Sequence, residues 1–201
     1  LKRFFSFFPE FFVIFSLYLI GAVLLISAQD IITAYISIEI QSLCLYLLAA
    51  FNKNSVFSTE AGIKYFVLGA LASCFIIFGF SLIYMTNGSV FLGDFFSFSF
   101  FQNYEIFPWY SSTLAISFIL TGFLFKLALV PFHFWVADIY EGSPFTSSTF
   151  FASFSKVPFF FFFCKLLYSY FSLFITFWSF PLSLSAFFSV LLGTFGALYQ
   201  T

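Results

Sequence analysis

The sequence predicts an all-α membrane protein with about six transmembrane helices, a single transmembrane domain over residues 1–201. Of its 201 residues, 62% are hydrophobic and only 7% are charged. A soluble domain carries about 25% charged residues, so lipid must be the main solvent here. Apolar stretches near the roughly 20 residues needed to span a hydrocarbon core recur six times. The polar segments between them are few and short. The net charge of −1 gives no electrostatic pull toward nucleic acid.

The first helix is expected over about 11–27 and the second over 31–51, parted only by the polar Ala28-Gln29-Asp30. The third runs over 61–84, and Asn87-Gly88 then marks a turn. A loop with Asp94 and Glu105 follows, its Phe-rich middle suited to the membrane interface. The fourth helix, 109–130, stops at Pro131, and the stretch near Lys126–Pro131 reads as an interrupted helix. The fifth is expected over 146–168 and the sixth over 171–199. Only the fifth is expected to carry a mid-helix proline, Pro158. Proline removes a backbone donor and bends a helix; lipid tolerates this where neighbouring helices or water satisfy the freed carbonyl. Lys2, Arg3 and Lys53 fall on one side, whereas the loop with Asp94 and Glu105 has no Lys or Arg. The positive-inside rule then places both termini on the matrix or cytoplasmic side.

Phenylalanine is unusually abundant, with 41 residues and runs such as Phe159 to Phe163. Such runs fit T-rich codon bias in an AT-rich organellar genome. The chain opens on Leu1, which fits an unusual start codon, N-terminal processing or a split coding sequence. Cys44, Cys74 and Cys164 all fall in apolar stretches, are odd in number and form no CxxC. They read as small buried hydrophobes rather than a disulfide framework or zinc site. Asn87-Gly88-Ser89 matches a glycosylation acceptor, a pattern common by chance. No nucleotide-binding glycine motif, metal cluster or nucleophile triad is present.

Charges at membrane depth are the informative feature, because each costs about 2.5–3.5 kcal/mol at a helix centre. Glu39 lies within the second expected helix, Lys64 near the start of the third, Lys126 near the end of the fourth and Lys156 midway along the fifth. Glu39 and Lys156 are too far from a helix end to snorkel, while Lys165 is near one. Two readings stand: static ion pairs that fix helix register, or a polar pathway across the bilayer. The pathway is favoured because cations outnumber the single deep anion. A buried Lys, unlike Arg, can also lose its proton. A proline lies near each deep Lys, as in a broken helix lining a water-filled cavity. His133, in Pro131-Phe132-His133-Phe134-Trp135, is the only histidine; structural and proton-relay roles both stay open. The charges of Asp138-Ile139-Tyr140-Glu141-Gly142-Ser143-Pro144 read as a solvated helix exit and turn.

Several of these stretches share a resemblance. Ile38-Glu39-Ile40-Gln41-Ser42-Leu43 and Ser58-Thr59-Glu60-Ala61-Gly62-Ile63-Lys64 resemble the subunit 2 family of NADH dehydrogenase (respiratory complex I). So does Phe125-Lys126-Leu127-Ala128-Leu129-Val130-Pro131-Phe132-His133-Phe134-Trp135, continued by Ser155-Lys156. Related antiporter-like subunits share the Glu and Lys positions. The chain departs from the family at Ala137, where Pro is usual. It also ends at Thr201, where the family continues into a second, inverted five-helix repeat.

The resemblance implies one half of an antiporter-like inverted-repeat fold. It implies a subunit of the proton-translocating NADH:ubiquinone reductase with no catalytic redox site in this chain. NADH, FMN, iron–sulfur clusters and ubiquinone are expected elsewhere in the complex. Expected partners are other membrane-arm subunits and a second polypeptide supplying the missing repeat. The expected location is the mitochondrial inner membrane, with the bacterial plasma membrane as the alternative. Glu39 would tune the proton affinity of Lys126, with Lys156 the next carrier and Lys64 and His133 further candidates. A cation/proton antiporter fragment and a purely structural membrane subunit remain as other readings.

Overall fold

A computed structural model describes residues 2–95 and 106–199. Helix α1 spans Lys2–Ser27, α2 Ile31–Ala49, α3 Val56–Asn87 and α4 Ile106–Leu127. Short helices α5 (Phe134–Gly142), α6 (Phe145–Ala152) and α7 (Lys156–Lys165) follow. A π-helical turn at Leu166–Tyr170 and a 3₁₀ turn at Ser172–Phe174 lead into α8, Ile175–Tyr199. Six segments are long and apolar enough to cross a membrane, as expected. The expected interfacial Phe-rich stretch and Glu105 lie outside the described residues.

Helix α3 is the longest, and its 32 residues extend about 48 Å. Ser55 caps its start, its hydroxyl accepting from Ser58 N at 3.3 Å. Gly88 closes it in the left-handed conformation (φ 73°), so the expected turn at Asn87-Gly88 is a helix cap. The loop beyond is tied to the α1–α2 turn by Ile31 N–H to Val90 O and Leu92 N–H to Gln29 O, both 2.9 Å.

Helix α4 packs on α3 through two reciprocal glycine–isoleucine pairs. Gly79 of α3 faces Ile119 of α4, and Gly122 of α4 faces Ile76 of α3. The pairing fixes α4 antiparallel to α3. Small residues let backbones approach closely, which is what drives helix association when lipid is the solvent. Ile76 and Ile119 are buried, as are Phe123, Phe162 and Phe163 behind them. The outward faces carry Leu24, Phe66, Phe180, Phe187 and Leu198, a surface that only an apolar medium would solvate.

Several expectations need correction. The interruption at Lys126–Pro131 is present, but the element resumes as α5 and reaches Gly142. Gly142 lies against Ala61 and Phe57 at the start of α3, so α4 and α5 together run the length of α3. The fifth helix is not continuous: Ser153–Ser155 form a turn between α6 and α7. Lys156 is therefore the first residue of a helix and not a mid-helix charge. Pro158 sits in the first turn of α7, where its missing N–H breaks no bond within α7 itself. Prolines also lie inside α1 (Pro9) and α8 (Pro181), so the fifth segment is not alone in carrying one. Cys44 is buried, but Cys74 is exposed on the outer face of α3.

Candidate functional site

Glu39 is half-buried on α2 and faces polar neighbours from its own and adjacent helices. The Ser42 hydroxyl, one turn on, lies 3.4 Å from Glu39 Oε2 and 3.0 Å from Glu39 O. The Tyr35 hydroxyl, one turn back, lies beside both Glu39 and Ser73 of α3. Glu39 Oε1 is buried without a hydrogen-bond partner. Next to Glu39, the fully buried Gln41 donates to Gly21 O at 3.2 Å and Ser37 O at 3.3 Å, locking α1 to α2.

Lys126 lies in the last turn of α4, where a cation suits the helix C-terminus. Its Nζ stands 5.6 Å from the centre of the Phe159 ring, within cation–π range. Among the described residues, neither Lys126 nor Lys156 has a carboxylate at ion-pair distance. Ser42, Tyr46, Lys126, Trp135 and Phe159 line a cavity of about 10 Å³, room for about one water molecule. Ser42 therefore touches Glu39 on one side and the Lys126 cavity on the other. Gly69 makes the room for Tyr46, since a Cβ there would collide with the Tyr46 ring.

Beyond Lys126 the chain breaks. Ala128 adopts φ 61° and the Val130–Pro131 peptide is cis. Leu129 N–H reaches back to Leu124 O at 2.9 Å, and Trp135 Nε1–H donates to Phe125 O at 3.3 Å. Trp135 is clamped between Tyr65 (5.0 Å, 16°) and Phe125 (6.0 Å, 13°). His133 precedes α5, half-buried, its Nδ1 buried without a hydrogen-bond partner. His133 and Lys156 line the same cavity of about 400 Å³, with Ala128, Val130 and Ser189. The two broken segments thus face one open pocket, largely apolar apart from His133, Lys156 and Ser189, and Lys156 enters it from the start of α7.

Lys64 is placed elsewhere. Its Nζ pairs with Glu60 Oε1 at 2.9 Å and with Asp138 Oδ2 at 3.1 Å. The side chains are 44%, 54% and 59% exposed respectively. Tyr65, the next residue, lines the Lys126 cavity, whereas Lys64 itself lines a separate pocket with Glu60 and Asp138. Asp138, read from sequence as a solvated charge, is exposed and also ties α5 to α3. Lys165 lies near the end of its span, and its Nζ donates to Ala28 O at 2.7 Å and Ile26 O at 3.3 Å. It satisfies carbonyls freed at the end of α1.

The arrangement is an all-helical bundle of six candidate membrane spans, two of them broken, among the described residues. The model of the NADH:quinone oxidoreductase/Mrp antiporter transmembrane family matches residues 28–201. The chain belongs to this family. Within the NADH:quinone oxidoreductase/Mrp antiporter family, NADH-quinone oxidoreductase subunit N 1 of Acidiphilium cryptum is 39% identical over 182 residues. That alignment takes in 90% of this chain and 37% of the relative. NADH-ubiquinone oxidoreductase chain 2 of Marchantia polymorpha is 44% identical over 143 residues, 66% of this chain and 28% of its own length. A chain of respiratory complex I from Thermus thermophilus superposes with a TM-score of 0.76 at 33% identity, covering 95% of this chain and 40% of its own. This chain spans about two fifths of the length of such relatives.

Sequence reasoning picked out Glu39, Lys126, Lys156, Lys64 and His133; the structure sets Glu39 and the Lys126 cavity on either side of Ser42, places His133 and Lys156 on one pocket, and pairs Lys64 with Glu60 and Asp138. It missed Tyr18, Tyr46, Trp135 and Phe159. An aromatic in a chain with 41 phenylalanines carries no signal of its own. Only Trp135 carried a mark, four residues after Pro131; Tyr18 had none, because its partner lies 136 residues away.

Proposed function

We propose that this chain forms the first-repeat portion of a membrane-arm subunit of proton-pumping NADH:ubiquinone oxidoreductase, and that it carries a proton half-channel through Glu39, Lys126, His133 and Lys156. One observation carries the reading. Glu39 touches Ser42, Ser42 lines the water-sized cavity of Lys126, and neither Lys126 nor Lys156 is neutralised by a carboxylate within ion-pair distance among the described residues. An unpaired lysine at membrane depth is costly and can release its proton. Two unit charges about 4 Å apart interact by about 4 kcal/mol at an effective dielectric of 20. A change in the Glu39–Lys126 separation can therefore load or empty the lysine. Each proton moved works against about 2.3 kcal/mol per 100 mV.

The electrons would be handled elsewhere, with NADH, FMN, iron–sulfur clusters and ubiquinone in other subunits. The second repeat would come from a further stretch of polypeptide or a second chain, packed beside other membrane-arm subunits. The Marchantia likeness and the codon-bias signature of the phenylalanine runs support the mitochondrial inner membrane. Lys64 and Lys165 have partners of their own and are assigned structural roles.

The test is Glu39→Gln and Lys126→Met in the assembled complex. Both are expected to lower proton pumping and coupled NADH oxidation. Normal pumping in an assembled Lys126→Met variant would rule the role out.

A further inference from the structure

We infer that Tyr18 is a positioning residue for Lys156: its hydroxyl supplies the hydrogen bond that Pro158 withholds from the break between α6 and α7. The inference rests on the reading of Lys156 as a proton carrier given above. In a continuous helix the carbonyl of Phe154 would accept from the backbone nitrogen four residues on. That residue is Pro158, which has no N–H. The freed carbonyl lies at membrane depth, where water is not at hand to satisfy it. Tyr18 reaches it from α1. Its hydroxyl lies 3.3 Å from Phe154 O and 3.3 Å from Ser155 O.

The rest of the contact fixes the tyrosine and the turn. Tyr18 is only 2% exposed, and its ring meets Phe150 of α6 edge-on at 4.9 Å. On the other side Ser155 N–H donates to Phe150 O at 3.2 Å, and the Ser155 hydroxyl donates to Phe151 O at 2.8 Å. The backbone from Phe150 to Ser155 is thus held at both ends of the turn, and Lys156 leaves it directly into the cavity shared with His133. Trp135 and Trp178 do the same elsewhere, donating to Phe125 O beside the first break and to Phe171 O (2.9 Å) before α8. Tyr18 differs in acting from a helix 136 residues away in sequence rather than from the element next along the chain, so it couples the position of α1 to that of Lys156.

The experiment uses Tyr18→Phe, which keeps the ring against Phe150 and removes only the hydroxyl, and the double variant Tyr18→Phe/Pro158→Ala, which returns an N–H to the Phe154 carbonyl. Two quantities are read on the assembled complex: amide hydrogen exchange across residues 150–163, and protons pumped per electron. Tyr18→Phe is expected to speed exchange in this segment about fivefold, the size expected for loss of one buried neutral hydrogen bond, and to lower the pumping ratio. Pro158→Ala in the same chain is expected to restore both. Unchanged exchange in Tyr18→Phe overturns the inference, as does faster exchange that Pro158→Ala fails to reverse. Faster exchange that is reversed, with normal pumping throughout, leaves Tyr18 holding the turn and overturns the carrier role of Lys156 instead. If Tyr18→Phe does not assemble, restored assembly in the double variant reports the same contact, and continued failure counts against it.

Discussion

Replacing Gly79 with alanine tests whether the α3–α4 approach sets the position of Lys126. A Cβ at Gly79 would stand 2.6 Å from Ile119 Cγ1 and 2.8 Å from Ala115 O. That is roughly 0.6 Å short of ordinary van der Waals contact with the carbonyl. Ile119 can turn a rotamer, but a backbone oxygen cannot swing aside, so the helices must part. Overpacking of this kind costs about 1–3 kcal/mol, offset by about 0.5–1 kcal/mol for replacing a helical glycine with alanine. The net expectation is destabilisation by about 1–2 kcal/mol. Lys126 lies two helical turns beyond Ile119, so the shift reaches it. The assay is the apparent melting temperature of the assembled complex together with protons pumped per electron, and both are expected to fall. A Gly79→Ala complex at least as stable as the parent would refute the close-packing argument.

Further outcomes follow from the other contacts. Trp135→Phe removes the donor to Phe125 O while keeping a ring between Tyr65 and Phe125. It is expected to cost about 1–2 kcal/mol, read as a lower melting temperature of the complex. Lys165→Met removes both bonds to the end of α1 and is expected to lower complex stability, whereas Lys165→Arg retains most of it. A proton-carrier role for Lys165 would instead show as a pumping defect in the arginine variant. Exchanging charges in Lys64→Asp/Asp138→Lys is expected to restore assembly lost in either single variant, measured by native electrophoresis. No restoration would mean that the α3–α5 contact is not the purpose of Lys64.

The sequence made the spans legible because their apolar runs are long and their loops short, and helix ends shifted by only a few residues in most cases. The first break was legible because Pro131 follows Lys126 within five residues. The second was not, because Thr146 to Tyr168 is uniformly apolar and Pro158 reads equally well as a kink or as the first turn of a new helix. What decides is Ser153–Ser155, whose freed backbone groups are satisfied from α1, a contact 136 residues away in sequence. Lys64 shows the opposite failure. Its proximity to Glu60 was visible, but the Asp138 partner comes from a helix that exists only because the fourth span is interrupted. Charge in an apolar stretch marks a candidate; whether it is paired depends on packing that periodicity does not reveal.

The account rests on Lys126 giving up and taking back a proton, and Lys126→Arg tests this most directly. Arginine keeps the charge, stays within the geometry of the α4 terminus, and does not deprotonate at accessible pH. The measurement is protons pumped per electron in the assembled complex under saturating NADH. The account predicts a ratio well below that of the parent, with the complex intact. A ratio equal to the parent's would show that charge at this position suffices, and that titration of Lys126 plays no part in translocation.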